Sequence, residues 1–154
     1  MILKIGNNNM FCITHMKKIK LIIVFLFLAF GLQKMNAQVY KFVATGFSVL
    51  EKDEKDNWGK WSDYQTTNII ISLDLDKRRI VVYSKEIQLY NIESFDKKIE
   101  NDDDLIFPFS CKDIDNEPFT ISFITRKKQD FRKQLYINQK DVILVYNIVN
   151  FPEK

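Results

Sequence analysis

The stretch NIIISLDLDKRRIVVYS (68–84) decides the fold. Ile69, Ile71, Leu73 and Leu75 fall on one side of an extended chain and Ile70, Ser72 and Asp74 on the other, the period of two that marks a half-buried strand. DKR then makes a tight turn, and RIVVYS starts a second strand at once. Outward from this hairpin the same period dominates. VYKFVATGFSVL (39–50) reads as a first strand, with Gly46 marking a bulge or bend. KEIQLYNI (85–92) follows after almost no gap. LIFPFSC (105–111) continues the meander, and Pro108, which lacks a ladder donor, points to an edge or a bulge there. DIDNEP (113–118) is a turn cluster, FTISFITR (119–126) aligns Phe119, Ile121 and Phe123, QLYIN (134–138) is a short strand, and DVILVYNIVN (141–150) is the last. Beyond the leader no helical stripe exceeds two turns; NIESFDKKIEND (91–102) is the one stretch that would hold a short helix. About eight short antiparallel strands in one domain must dispose of their edges, which closure does best. The expectation is an all-β domain, a small antiparallel meander barrel or rolled sheet, with a two-sheet sandwich as the alternative.

The N-terminus sets the compartment. MKKIKLIIVFLFLAFGLQKMNAQ (16–38) has a basic start, an apolar run from Leu21 to Leu32 and a polar exit ending in a small residue, the three parts of a secretory signal. The run is too short to span a hydrocarbon core of about 30 Å as a helix. Cleavage after Ala37 is expected, and no Cys follows the run to carry a lipid. Residues 1–15 have no part in this scheme and read as an upstream start, with Met16 the true one. The domains are then 1–15, the signal peptide 16–37, and one β domain over 38–154, exported to the periplasm or secreted. An uncleaved anchor is the alternative.

Removing the leader changes the charge. All 20 acidic residues lie beyond Ala37, whereas five of the 23 basic residues precede it, so 18 basic face 20 acidic groups for a formal charge of −2. That balance points away from nucleic acid. The only histidine, His15, lies in the leader, as do all four Met and Cys12. What remains has no imidazole for a Ser-His-Asp or Cys-His relay or for a His-ligated zinc, and one cysteine, Cys111, which cannot form an internal disulfide. Cys111 shares a face with Leu105, Phe107 and Phe109 and reads as a small buried apolar residue, with a redox or dimer-forming thiol as the alternative. Nine Phe, six Tyr and two Trp lie beyond Ala37 to build a core without cross-links.

The order of signal peptide, KWSDY (60–64), IIISLDLDKRRIVVYS (69–84), YNI (90–92) and a closing VILVYNI (142–148) resembles small, uncharacterised secreted β-proteins of Bacteroidota over most of the chain beyond the leader. That resemblance implies no chemistry. GKW (59–61) is similar to the G-x-W that opens the first barrel strand of lipocalins and fatty-acid-binding proteins, which implies a barrel; here a good strand precedes it, a departure from the lipocalin pattern.

Trp58, Trp61 and Tyr64 recur every three residues in NWGKWSDYQ (57–65) and form the candidate ligand-binding group: a stacking face for sugar rings or a flat ligand, against the commoner role of packing across a barrel mouth. Asp113, Asp115 and Glu117 have calcium-like spacing but lack the glycine of an EF-hand loop, so solvated turns explain them and the other acidic groups, EKDEKD (51–56) and ENDDD (100–104). RKKQDFRKQ (126–134) is a basic loop with one aromatic, Phe131, and reads as a solvated hairpin loop, with anionic lipid or polysaccharide contact as the alternative. No catalytic residue, metal or cofactor is assigned. The expected function is a non-catalytic exported binding module whose partner is a small apolar ligand, a glycan or an envelope protein. A small carboxylate-based enzyme acting on glycans, and an inhibitor or assembly subunit, are the alternatives. Phe- and Ile-lined space without charged groups would favour the ligand; two buried carboxylates facing one cleft would favour the enzyme.

Overall fold

The computed structural model describes residues 38–152, in which the apolar-alternating segments are strands: β1 (Val39–Glu51), β2 (Gln65–Asp74), β3 (Arg79–Tyr83), β4 (Ile87–Phe95), β5 (Ile99–Glu100), β6 (Asp104–Lys112), β7 (Pro118–Arg126), β8 (Arg132–Asn138) and β9 (Val142–Asn150). The leader segments read from the sequence lie outside the described residues. All nine strands join one antiparallel sheet in the order β4-β3-β2-β1-β9-β8-β7-β6-β5. β4 also pairs with β6, which closes the sheet. β4 and β5 follow one another along the same edge of β6, Phe95 facing Phe109 and Ile99 facing Ile106. The result is a closed up-and-down barrel of eight strands with β5 as a short extension, and not a sandwich. Closure pairs the long strand edges that would otherwise template association.

Register decides which half of each strand is core. Ile71 and Leu73 of β2 stand with Ile80 and Val82 of β3, Tyr90 and Ile92 of β4, Phe109 and Cys111 of β6, Ile121 and Phe123 of β7, Leu135 and Ile137 of β8, and Tyr146 and Ile148 of β9 in one buried cluster. This is the period-two set on the inner face, so the barrel axis is the hydrophobic core. Cys111 is a free thiol within it. Desolvation pushes that thiol up to about 12. A small apolar residue is its observed role.

Two irregularities have identifiable causes. The β1 ladder shifts register between Ala44 and Gly46 against both neighbours, the bulge that the glycine marked. Pro108 sits in β6 opposite Ser122, and its carbonyl accepts the Asp96 amide at 3.2 Å on the other side. Its missing N–H therefore faces the break between β4 and β5, where it leaves no ladder bond unmade.

The short helix expected within 91–102 does not form. Ile92, Phe95 and Ile99 are instead in register with Cys111, Phe109 and Ile106. In between, the Asp96 carboxylate accepts the Ser94 and Ser110 hydroxyls at 2.8 and 2.9 Å. One turn of helix would forgo the pairings that close the barrel, so tertiary pairing overrides a weak local preference.

The outer face carries its own fastening. Arg126 of β7 donates to Asp104 of β6 at 2.6 Å, to Gln134 of β8 at 3.0 Å and to the Tyr136 hydroxyl at 3.2 Å, and Gln134 donates to Asn147 of β9 at 3.0 Å. One buried-to-half-buried polar chain thus crosses four strands, and only one register satisfies all of it.

Candidate functional site

The inner face is not filled evenly along the axis. One end is the side of the β1–β2, β3–β4, β6–β7 and β8–β9 connections. There Phe47 packs on Tyr146 with ring centroids 5.8 Å apart, and Tyr90 on Phe119 at 5.0 Å. The Tyr90 hydroxyl donates to Gln88 at 3.0 Å. Burial raises the pKa of both Tyr90 and Tyr146, so both phenols are neutral acids in the core.

The opposite end, at the start of β1 and the β2–β3 and β7–β8 turns, is hollow. A cavity of 440 Å³ opens there. Its floor and one wall are aromatic: Phe42 lies 5.2 Å from Phe123, Phe123 is 6.0 Å from Phe109, and Phe109 is 5.8 Å from Phe95. Leu73, Leu75, Phe107, Ile124 and Ile148 add apolar surface, and among the described residues no Asp or Glu contributes to it. Arg78, at the β2–β3 turn, lies 4.7 Å over the Phe95 ring and donates to the Ile92 and Glu93 carbonyls, holding the end of β4 against the mouth.

The rim is asymmetric, and strand alternation explains how. Continuing the inner face of β7 beyond Phe123 reaches Thr125. On β8 the residue two before Leu135 is Lys133, and on β9 the residue two after Ile148 is Asn150. Tyr40 takes the matching place on β1, two before Phe42. Four neighbouring strands, β7, β8, β9 and β1, therefore end in polar inner-face residues, while β2, β4 and β6 across the mouth end in Leu75, Phe95 and Phe107. Lys133 donates to Asn150 Oδ1 at 2.7 Å and is, among the described residues, the only charged side chain in the lining.

No family model matches this chain, and neither does any curated protein or solved structure.

The residues singled out from the sequence lie at the other end. Lys52 bridges to Trp58, the Gly59 amide donates to the Glu51 carbonyl at 2.9 Å, and the Ser62 amide to the Val49 carbonyl at 2.8 Å. The segment 57–64 thus runs back along β1 as an irregular continuation of β2. Trp58 is 45% exposed, Trp61 45% and Tyr64 51%, so none of the three plugs the core. Tyr64 covers Gly46, and Trp58 receives the Lys52 ammonium 5.2 Å from its ring. They lie along one segment at the filled end, remote from the cavity.

The acidic groups serve their own turns. Asp113 Oδ1 accepts the amides of Asp115 and Glu117, each at 2.9 Å, so the carboxylate that the spacing suggested for calcium is engaged in shaping the loop. Among the described residues no group of three His, Cys, Asp or Glu is placed to hold a metal. The basic loop divides. Lys127 binds Glu100 at 2.9 Å and Lys128 binds Asp103, while Phe131 is 67% exposed and Lys133 turns inward to the mouth. Lys133 lies one residue before QLYIN (134–138), in a run that reads as a solvated loop, so residue type and loop position do not mark it. Two residues before Leu135 on the same face was the signal that placed it.

Proposed function

We propose that this protein is an exported, non-catalytic binding module that holds a small apolar ligand in the open end of its barrel. The supporting observation is the 440 Å³ hollow whose walls are Phe, Leu and Ile side chains in the core of an otherwise packed barrel. Its volume is within the roughly 300–1,000 Å³ of ordinary small-molecule sites, and an eight-stranded barrel is about the size that holds one small ligand. Export rests on the leader. The carboxylate-based enzyme has less behind it: no described acid contributes to the cavity, and Asp74, the buried carboxylate of β2, accepts the Lys77 amide at 2.9 Å in its own turn.

An apolar fluorophore that brightens on leaving water tests the reading. Saturable binding to the native protein at one site, abolished by Thr125→Trp at the mouth while the melting temperature is kept, is the expected result. Absence of saturable binding, with no small molecule retained through native mass spectrometry, would return the protein to the partner-binding class.

A second reading rests on Trp58, Trp61 and Tyr64. Their rings are half-exposed, and the segment that carries them borders a polar groove lined by Glu51, Lys52, Lys60 and Ser62, which would suit a sugar ring or a partner's surface. Quenching of indole fluorescence by a glycan, lost in Trp61→Ala, is its test.

A further inference from the structure

We infer that the ligand of the open end is an anionic amphiphile, one negatively charged head on an apolar tail, with Lys133 as the residue that anchors the head. This deepens the proposed function and rests on it.

Three features of the mouth converge. First, polarity is segregated. Thr125, Lys133 and Tyr40 line one arc, with Asn150 of β9 hydrogen-bonded to Lys133 beside them, and Leu75, Phe95 and Phe107 line the other, above an aromatic floor. A wholly apolar guest would leave the polar arc unused, and a wholly polar guest would waste the floor. A molecule with a head at the rim and a tail inside satisfies both.

Second, the charge on that arc has one sign. Among the described residues Lys133 contributes the only ionised side chain of the lining. Its hydrogen-bond partner among the described residues is the Asn150 amide oxygen at 2.7 Å, and no described carboxylate lies within ion-pair distance of it. The neighbouring cations differ. Lys127 and Lys128 are committed to Glu100 and Asp103, and the Arg78 guanidinium to the carbonyls of Ile92 and Glu93. An incoming anion would therefore find one ammonium, next to the Thr125 hydroxyl across the β7–β8 pair, and would displace nothing stronger than an amide.

Third, the volume limits the tail. At interior packing density, 440 Å³ takes at most roughly 15–20 non-hydrogen atoms. Decanoate fits within that limit, and 1-decanol is its uncharged counterpart.

Calorimetric titration of the folded protein with these two probes separates the inference from the reading beneath it. Decanoate should bind about tenfold or more tighter than decanol, the scale of a charge-assisted hydrogen bond. Lys133→Met should abolish that preference while retaining decanol, which itself shows the barrel is folded; Lys133→Arg should keep the preference, and Lys127→Met should leave it unchanged. Equal affinity for the two probes, or a preference that survives Lys133→Met, would overturn the anionic-head inference and leave the apolar-ligand function standing. Binding of neither probe would sink both.

Discussion

Tyr64 lies across Gly46 so closely that a methyl group on the glycine would sit 2.1 Å from the Tyr64 Cζ and 2.7 Å from the Gln65 carbonyl oxygen. The glycine is thus required by space at the β1 bulge, where the irregular segment of 57–64 folds back on the barrel. Gly46→Ala should destabilise the protein by about 1–3 kcal/mol, the range for overpacking. Truncating the ring in Tyr64→Ala should recover part of that loss in the double variant. Recovery is incomplete because the Gln65 carbonyl belongs to the backbone and remains. A thermal-denaturation double-mutant cycle reads the coupling, and additivity of the two changes would contradict the packing.

The two ends of the core should respond differently to truncation. Leu135 is fully buried among neighbours, and Leu135→Ala should cost about 2–5 kcal/mol. Phe107, 42% exposed at the cavity wall, already borders open space. Phe107→Ala should cost well under half as much while weakening apolar-ligand binding. Chemical denaturation of the two variants makes the comparison, and equal losses would mean that the open end is as tightly packed as the filled one.

Raising the pH should erode stability through the buried acids. Burial raises the pKa of the Cys111 thiol to about 12 and of the Tyr90 and Tyr146 phenols above their ordinary value. Above the unfolded-state value of 9.0 for a thiol and 10.0 for a phenol, the unfolded chain loses protons that the native chain keeps. The stabilisation is therefore whole below pH 9 and declines from there towards pH 12. In the native protein Cys111 should resist a thiol reagent at pH 8 and react on unfolding; fast labelling of the native state would place the thiol outside the core.

Acid acts on a different part of the surface. Side-chain hydrogen bonds from Lys98 and then Lys127 hold the Glu100 carboxyl at about 2, below its ordinary 4.5. The shift favours the native state above pH 4.5, and that advantage is lost as the pH falls through about 2. Because Glu100 is exposed, salt should screen the effect and bring its titration, followed by NMR, back towards 4.5.

Arg126 should resist conservative exchange. Its guanidinium serves Asp104, Gln134 and Tyr136 together from a planar fork, which an ammonium cannot imitate. Arg126→Lys and Arg126→Leu should both cost about 1–3 kcal/mol in urea denaturation, since each leaves Gln134, buried on the outer face, short of a partner. A neutral Arg126→Lys would show that the network is a surface ornament.

Much of the fold was written in local alternation. Ile69, Ile71 and Leu73, or Phe119, Ile121 and Phe123, face one way because successive residues of a strand must, whatever surrounds them. Gly46 announced its bulge and Pro108 its gap through the backbone chemistry that each residue carries along the chain. Cys111 was placed in the core by the same parity. Tertiary pairing decided what alternation leaves open. The chain 91–102 is extended because β6 offers Phe109 and Ile106 as partners to Phe95 and Ile99, and the sheet closes as a barrel because β4 reaches β6. Trp58, Trp61 and Tyr64 stand out by residue type and spacing, but their distance from the cavity follows from which ends of the strands the turns join. Lys133 is the converse: an ordinary lysine in a basic run, brought beside Asn150 and above Phe123 by the register of β8 on β7 and β9. Periodicity is a property of neighbours in sequence and can be read there; a cavity is made of residues from seven strands, and its existence depends on how their side chains fail to meet.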